Sequence, residues 1–129
     1  MNRHETRKKL VFAVYQYLLL NSDLNSTVVD AFDVEDITLI DEYVLKLVGA
    51  IKANRSSYIE EISKHLKRWT FERLNYLDQA ILLVGAAELD IKTVDKAIVI
   101  NEAINLAKEY CDDDAFKYIN GVLDQLWEQ

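Results

Sequence analysis

The chain has 129 residues, half of them apolar and 29% charged, with no proline and only three glycines. That composition excludes a disordered segment, and so few turn residues exclude a β-sandwich or barrel, leaving an all-α fold long enough to bury a real core. A net charge of −7 excludes strong nucleic-acid binding by bulk electrostatics alone, and a single cysteine excludes an internal disulfide or a cysteine-only zinc site.

The first expected helix covers about residues 5–20, with Leu10, Ala13, Val14, Tyr17 and Leu18 on its inner face. Its apolar run LVFAVYQYLLL is shorter than the ~20 residues needed to cross a bilayer. Tyr15, Gln16 and Tyr17 interrupt it, and no small-x-small site follows, so it reads as a buried helix rather than a signal peptide. Ser26 or Thr27 then caps a short second helix through about residue 32. A third is expected over 36–54, with Ile40, Tyr43, Val44, Leu47 and Ile51 as its stripe. Ser56 or Ser57 caps a fourth, YIEEISKHLKRW, with Ile59, Ile62 and Leu66 inward and Glu60–Lys64 as an i,i+4 pair.

The fifth expected helix, about 75–89, is apolar almost all round, as a central helix must be. The sixth is KAIVINEAINLAKEY, in which Asn101 and Glu102 read as a structural polar network. Asp112 to Asp114 stand at the start of a seventh, where carboxylates cap free N–H groups. This last segment contains Asn120-Gly121, a favoured hairpin dipeptide. Yet Phe116, Ile119, Leu123 and Leu126 recur at spacings of three and four, so residues 114–126 are expected to be helical throughout, with Gly121 against a neighbouring helix.

Charge is unevenly spread. Residues 1–9 carry Arg3, Arg7, Lys8 and Lys9 against Glu5, while residues 10–45 hold seven acids and no Lys or Arg. Residues 46–73 hold seven basic groups against three acids. Motifs for chemistry are missing: His4 and His65 form no HExxH pair, and there is no phosphate loop or GxSxG elbow. Cys111 beside Asp112 reads as a structural thiol, Asp112 to Asp114 lack the Gly and distal Glu of a calcium loop, and Glu102 and Glu109 have no ExxH companion for a di-iron site. The expectation is a protein that is not an enzyme and takes no cofactor or metal.

Three segments carry a specific resemblance. IVINEAINLAKEY followed by FKYINGVLD, WTFERLNYLDQAILLVGAAEL, and the basic start TRKKLVFAVYQYLL resemble, in order and spacing, the transcription antitermination factor NusB family across essentially the whole chain. The resemblance implies one NusB-like domain over 1–129, with about seven helices in two joined three-helix bundles. It implies a cytoplasmic antitermination factor that binds boxA-type single-stranded RNA with ribosomal protein NusE and acts on RNA polymerase in ribosomal RNA operons. Carried onto this chain, RNA contacts fall on Arg3, Arg7, Lys8, Lys9, Asp114, Lys117 and Tyr118, and protein-partner contacts on Tyr15, Arg73 and Asp78. The chain departs from the family pattern at His4 and Glu5, which interrupt the arm, and at Phe12, Leu83 and Asp95. Two alternatives stay open. One is a NusB-fold protein-interaction module with weak or lost RNA binding. The other is an accessory domain of an RNA-modifying system, such as those heading certain ribosomal RNA cytosine methyltransferases; against it, no methyltransferase sequence follows Gln129.

Overall fold

The computed structural model describes residues 1–92 and 94–127; Thr93, Glu128 and Gln129 lie outside the described residues. Among the described residues there are six α-helices and no strand: α1 (Arg3–Leu20), α2 (Leu24–Phe32), α3 (Glu42–Ser63), α4 (Tyr76–Ile91), α5 (Lys96–Tyr110) and α6 (Ala115–Gln125). Two 3-10 turns, Ile37–Leu39 and Phe71–Arg73, precede α3 and α4.

Side-chain caps set three of the six α-helix starts. The side chains of Asn2, Asp23 and Asp41 accept from Glu5, Ser26 and Tyr43 N–H, satisfying donors that the first turn leaves free. The second helix is therefore capped by Asp23, not by Ser26 or Thr27. Asn21, Asp33 and Lys92 end α1, α2 and α4 in the left-handed region, each cap N–H bonding back into the last turn. Asp114 holds the N-cap position of α6 but makes no side-chain cap bond; it lies 3.4 Å from Lys117 Nζ instead.

The expected third and fourth helices are one. Residues 36–41 form a 3-10 turn and its flanks, and α3 then runs unbroken past Ser56 and Ser57 to Ser63. Both serines are exposed, where water satisfies their hydroxyls and the backbone keeps its helical bonds. Lys64 pairs with Glu61 at 3.0 Å rather than with Glu60.

α4 sits at the join of two three-helix bundles, α1–α3 and α4–α6, and packs against α1, α3, α5 and α6. Every residue from Asp78 to Glu88 is buried, matching its all-round apolar sequence. α6 is helical straight through Asn120 and Gly121. The close approach expected of Gly121 is instead made by Gly85 on α4: a Cβ at Gly85 would meet Leu123 Cδ2 of α6 at 3.0 Å, whereas one at Gly121 would meet nothing within 4 Å. The contact between these two helices exists, with the glycine on the other partner. No helix among the described residues is long and apolar enough to cross a membrane.

Candidate nucleic-acid interface

The N-terminal basic groups lie on the first turns of α1 and contact residues of α2, α3, α4 and α5. Arg7 turns inward. Its Nε and Nη2 donate to Glu88 Oε1 and Oε2 at 2.7 and 2.8 Å, and Nη2 also donates to Tyr43 Oη at 3.1 Å. Tyr43 Oη donates to Glu88 Oε2 as well. Arg7 is 4% exposed and Glu88 1%, so the pair is buried, and a fork-to-fork geometry is what such a pair requires. Burial alone would lower the Arg7 pKa, but Glu88 more than offsets it and holds the guanidinium charged, above its ordinary value. Arg7 thus serves the fold and does not present a cation to solvent, unlike the expectation that it meets a phosphate.

The other arm residues lie on the surface against aromatic or acidic neighbours. The Arg3 guanidinium stacks 3.7 Å from the Tyr43 ring centroid, Lys8 Nζ lies 5.0 Å from that of Tyr110 and 3.7 Å from Glu109, and Lys9 Nζ lies 5.8 Å from that of Phe32. His4 Nδ1 sits 2.6 Å from Glu102 Oε2. Glu102 and Glu109, one face of α5, are therefore the counter-charges of α1. Asn101 is exposed, so the expected polar network is built by Glu102 without it.

A groove of about 1010 Å³ opens between the segment joining α3 to α4 and the start of α6. It gathers Arg73, Asp78, Asp114, Lys117 and Tyr118, drawn from both expected contact sets. Tyr118 Oη donates to Asp78 Oδ2, so two residues expected to serve different partners are directly joined. Asp78 is 5% exposed and its Oδ1 has no hydrogen-bond partner. Burial first, and then the Asp78 carboxylate, push the Tyr118 hydroxyl and the neighbouring Cys111 thiol well above their ordinary pKa values. Cys111 accordingly stays a thiol at neutral pH and is a poor nucleophile. Tyr15 is half-buried and packs on the core, away from these groove-lining residues.

The groove also brings forward residues that the resemblance did not single out. Lys67 and Arg68 line its rim with no ion pair or hydrogen bond to another described residue, and Trp69 beside them is 56% exposed. The sequence signal was the basic surplus of residues 46–73, in which Lys67 and Arg68 precede the WTFERL segment and belong to no motif, so the surplus pointed to no particular surface.

Comparison with known proteins adds the lineage. The NusB family model matches residues 4–128. The transcription antitermination protein NusB of Wolinella succinogenes is 34% identical over 125 residues, covering 96% of this chain and 93% of that protein. T. maritima NusB superposes with a TM-score of 0.85 at 27% identity, over 98% of this chain and 90% of that one. A chain of the crystal structure of antitermination factors NusB and NusE in complex with dsRNA superposes at 0.80, also at 27% identity, with 98% of each chain covered.

Proposed function

The chain belongs to the NusB family, and on that premise we propose that it is a transcription antitermination factor that binds boxA-type single-stranded RNA together with ribosomal protein NusE. It acts on RNA polymerase in ribosomal RNA operons, as a cytoplasmic binding protein and not an enzyme, with the whole of 1–129 working as one domain. The observation that carries the NusE and RNA parts of this reading is the likeness, over 98% of both chains, to a chain of the crystal structure of NusB and NusE with dsRNA.

In this reading Arg3, Lys8 and Lys9 approach phosphates from the side of α1, and Arg7 holds that turn in place through Glu88. Lys117 and Tyr118 meet RNA from α6, with Asp114 beside them at the helix start. Tyr15 on α1 and Arg73 at the groove contact NusE, and Asp78 supports that side from within, through its bond to Tyr118. Few free cations on a chain of net −7 make RNA binding by the protein alone weak, and a basic partner lengthens the positive track.

The test is a fluorescence-anisotropy titration of a labelled single-stranded boxA-type RNA, with and without NusE, at several salt concentrations. Weak binding that NusE strengthens is the expected result. The self-paired arm also suits a protein-only interaction module, which would show as NusE binding with no RNA binding in either condition.

A further inference from the structure

We propose that the segment joining α3 to α4 is a second RNA-contact element, in which Lys67 and Arg68 meet backbone phosphates and Trp69 stacks on an unpaired base. This deepens the RNA reading above and rests on it.

The first argument is availability. Of the four basic residues at the N-terminus, Arg7 is buried against Glu88, and Arg3, Lys8 and Lys9 each lie over an aromatic ring of their own chain. Lys67 and Arg68 are both exposed and make no ion pair or hydrogen bond to another described residue. A phosphate approaching either of them displaces water and no internal partner.

The second is the aromatic group. Trp69 follows Arg68 directly and is 56% exposed, a large ring left in water where burial would ordinarily be favoured. An exposed indole beside cations is the arrangement that holds single strands: cations follow the backbone, and the ring takes any base by its π-face.

The third is polarity across the groove. The opposite wall carries Asp112, Asp113 and Asp114, with Lys117 one turn further on. Carboxylates repel phosphates but accept from the amino groups of bases. A strand in the groove therefore runs with its backbone along the Lys67–Arg68 rim and its base edges toward the aspartates. On its aspartate side the groove adjoins the arm, because Lys8 lies over Tyr110, the last residue of α5, immediately before the turn that supplies these aspartates.

The experiment uses the full chain and the labelled single-stranded boxA-type RNA, titrated by anisotropy across a salt series with and without NusE. The wild type is compared with Trp69→Ala, Trp69→Phe and the double variant Lys67→Ala/Arg68→Ala. All these side chains are exposed, so unchanged melting curves are expected. Loss of stacking predicts about tenfold weaker binding for Trp69→Ala, most of it recovered in Trp69→Phe. The double variant should lower the salt slope by about 0.7 for each phosphate it no longer neutralises, and Trp69→Ala should leave that slope alone. In a Trp127→Phe background, RNA should quench the remaining Trp69 fluorescence.

If the wild type binds RNA and the variants bind identically, the second element is refuted while the RNA function stands. If the variants keep RNA affinity but lose NusE, the groove belongs to the protein partner, and the proposal is likewise refuted. No RNA binding by wild type with or without NusE overturns both readings together.

Discussion

Arg7 shows how far a single residue's role can differ from what its neighbours in sequence suggest. It stands in a basic run, yet its guanidinium is spent on Glu88, 81 residues away. Nothing in local spacing could reveal that, because the pairing exists only once α1 lies against α4. Removing one partner of such a pair leaves a buried charge alone, so Arg7→Ala should cost ~3–5 kcal/mol of stability, read from urea denaturation. Arg7→Met combined with Glu88→Leu should recover most of that loss, since neither charge then remains buried. Tyr43 shares the network, and burial, then Glu88, raise its pKa from 10.0 to about 12. The folded protein thus holds this proton more tightly than the unfolded chain does. Its contribution is complete below pH 10.0 and is lost as pH rises through about 12. Tyr43→Phe should make the alkaline limb of stability against pH shallower across that window, measured by denaturant midpoints at stepped pH.

At the scale of helices, periodicity was a dependable guide to which segments are helical and a poor one to where they stop. α5 spans the segment KAIVINEAINLAKEY as read, and α6 passes through Asn-Gly because its three/four spacing outweighs one dipeptide. Ser56-Ser57 misled because a capping residue on the exposed face of a long helix looks the same in sequence as one at its start. The glycines teach the same lesson about packing. Gly85→Ala pushes a Cβ to 3.0 Å from a methyl of Leu123, which is itself fully buried and has little room to yield. Overpacking there should outweigh the gain in helix propensity and lower stability by about 1 kcal/mol. Gly121→Ala meets nothing and should raise it by up to about 1 kcal/mol. Thermal melts of the two variants should therefore shift in opposite directions.

For the whole molecule, the fold was legible and the surface only partly so. Apolar spacing and the near-absence of turn residues pointed to a helical bundle because burial acts on every helix at once. The site needs knowledge of which charges are already satisfied inside the chain, and this depends on tertiary contacts. That is why Asp78 and Tyr118, assigned to different partners, prove to be hydrogen-bonded to one another, and why Lys67 and Arg68 are free cations while Arg7 is not. A functional consequence follows for the intact protein. Arg3→Ala, Lys8→Ala and Lys9→Ala together should weaken RNA binding and flatten its salt dependence, whereas Tyr118→Ala should weaken it with the slope nearly unchanged. Both are read from the same salt-resolved titration.

The uninterrupted burial of α4 gives the protein a built-in gauge of its own integrity. With every residue from Asp78 to Glu88 enclosed, the amides in the middle of this helix have no local route to solvent. Their hydrogen–deuterium exchange must wait for global opening, so the slowest of them report the unfolding free energy under native conditions. A ligand that binds only the folded chain slows that opening by mass action, by about a hundredfold when present at a hundred times its Kd. RNA or NusE bound at the rim of the groove would thus be recorded by amides at the centre of the molecule that neither partner touches.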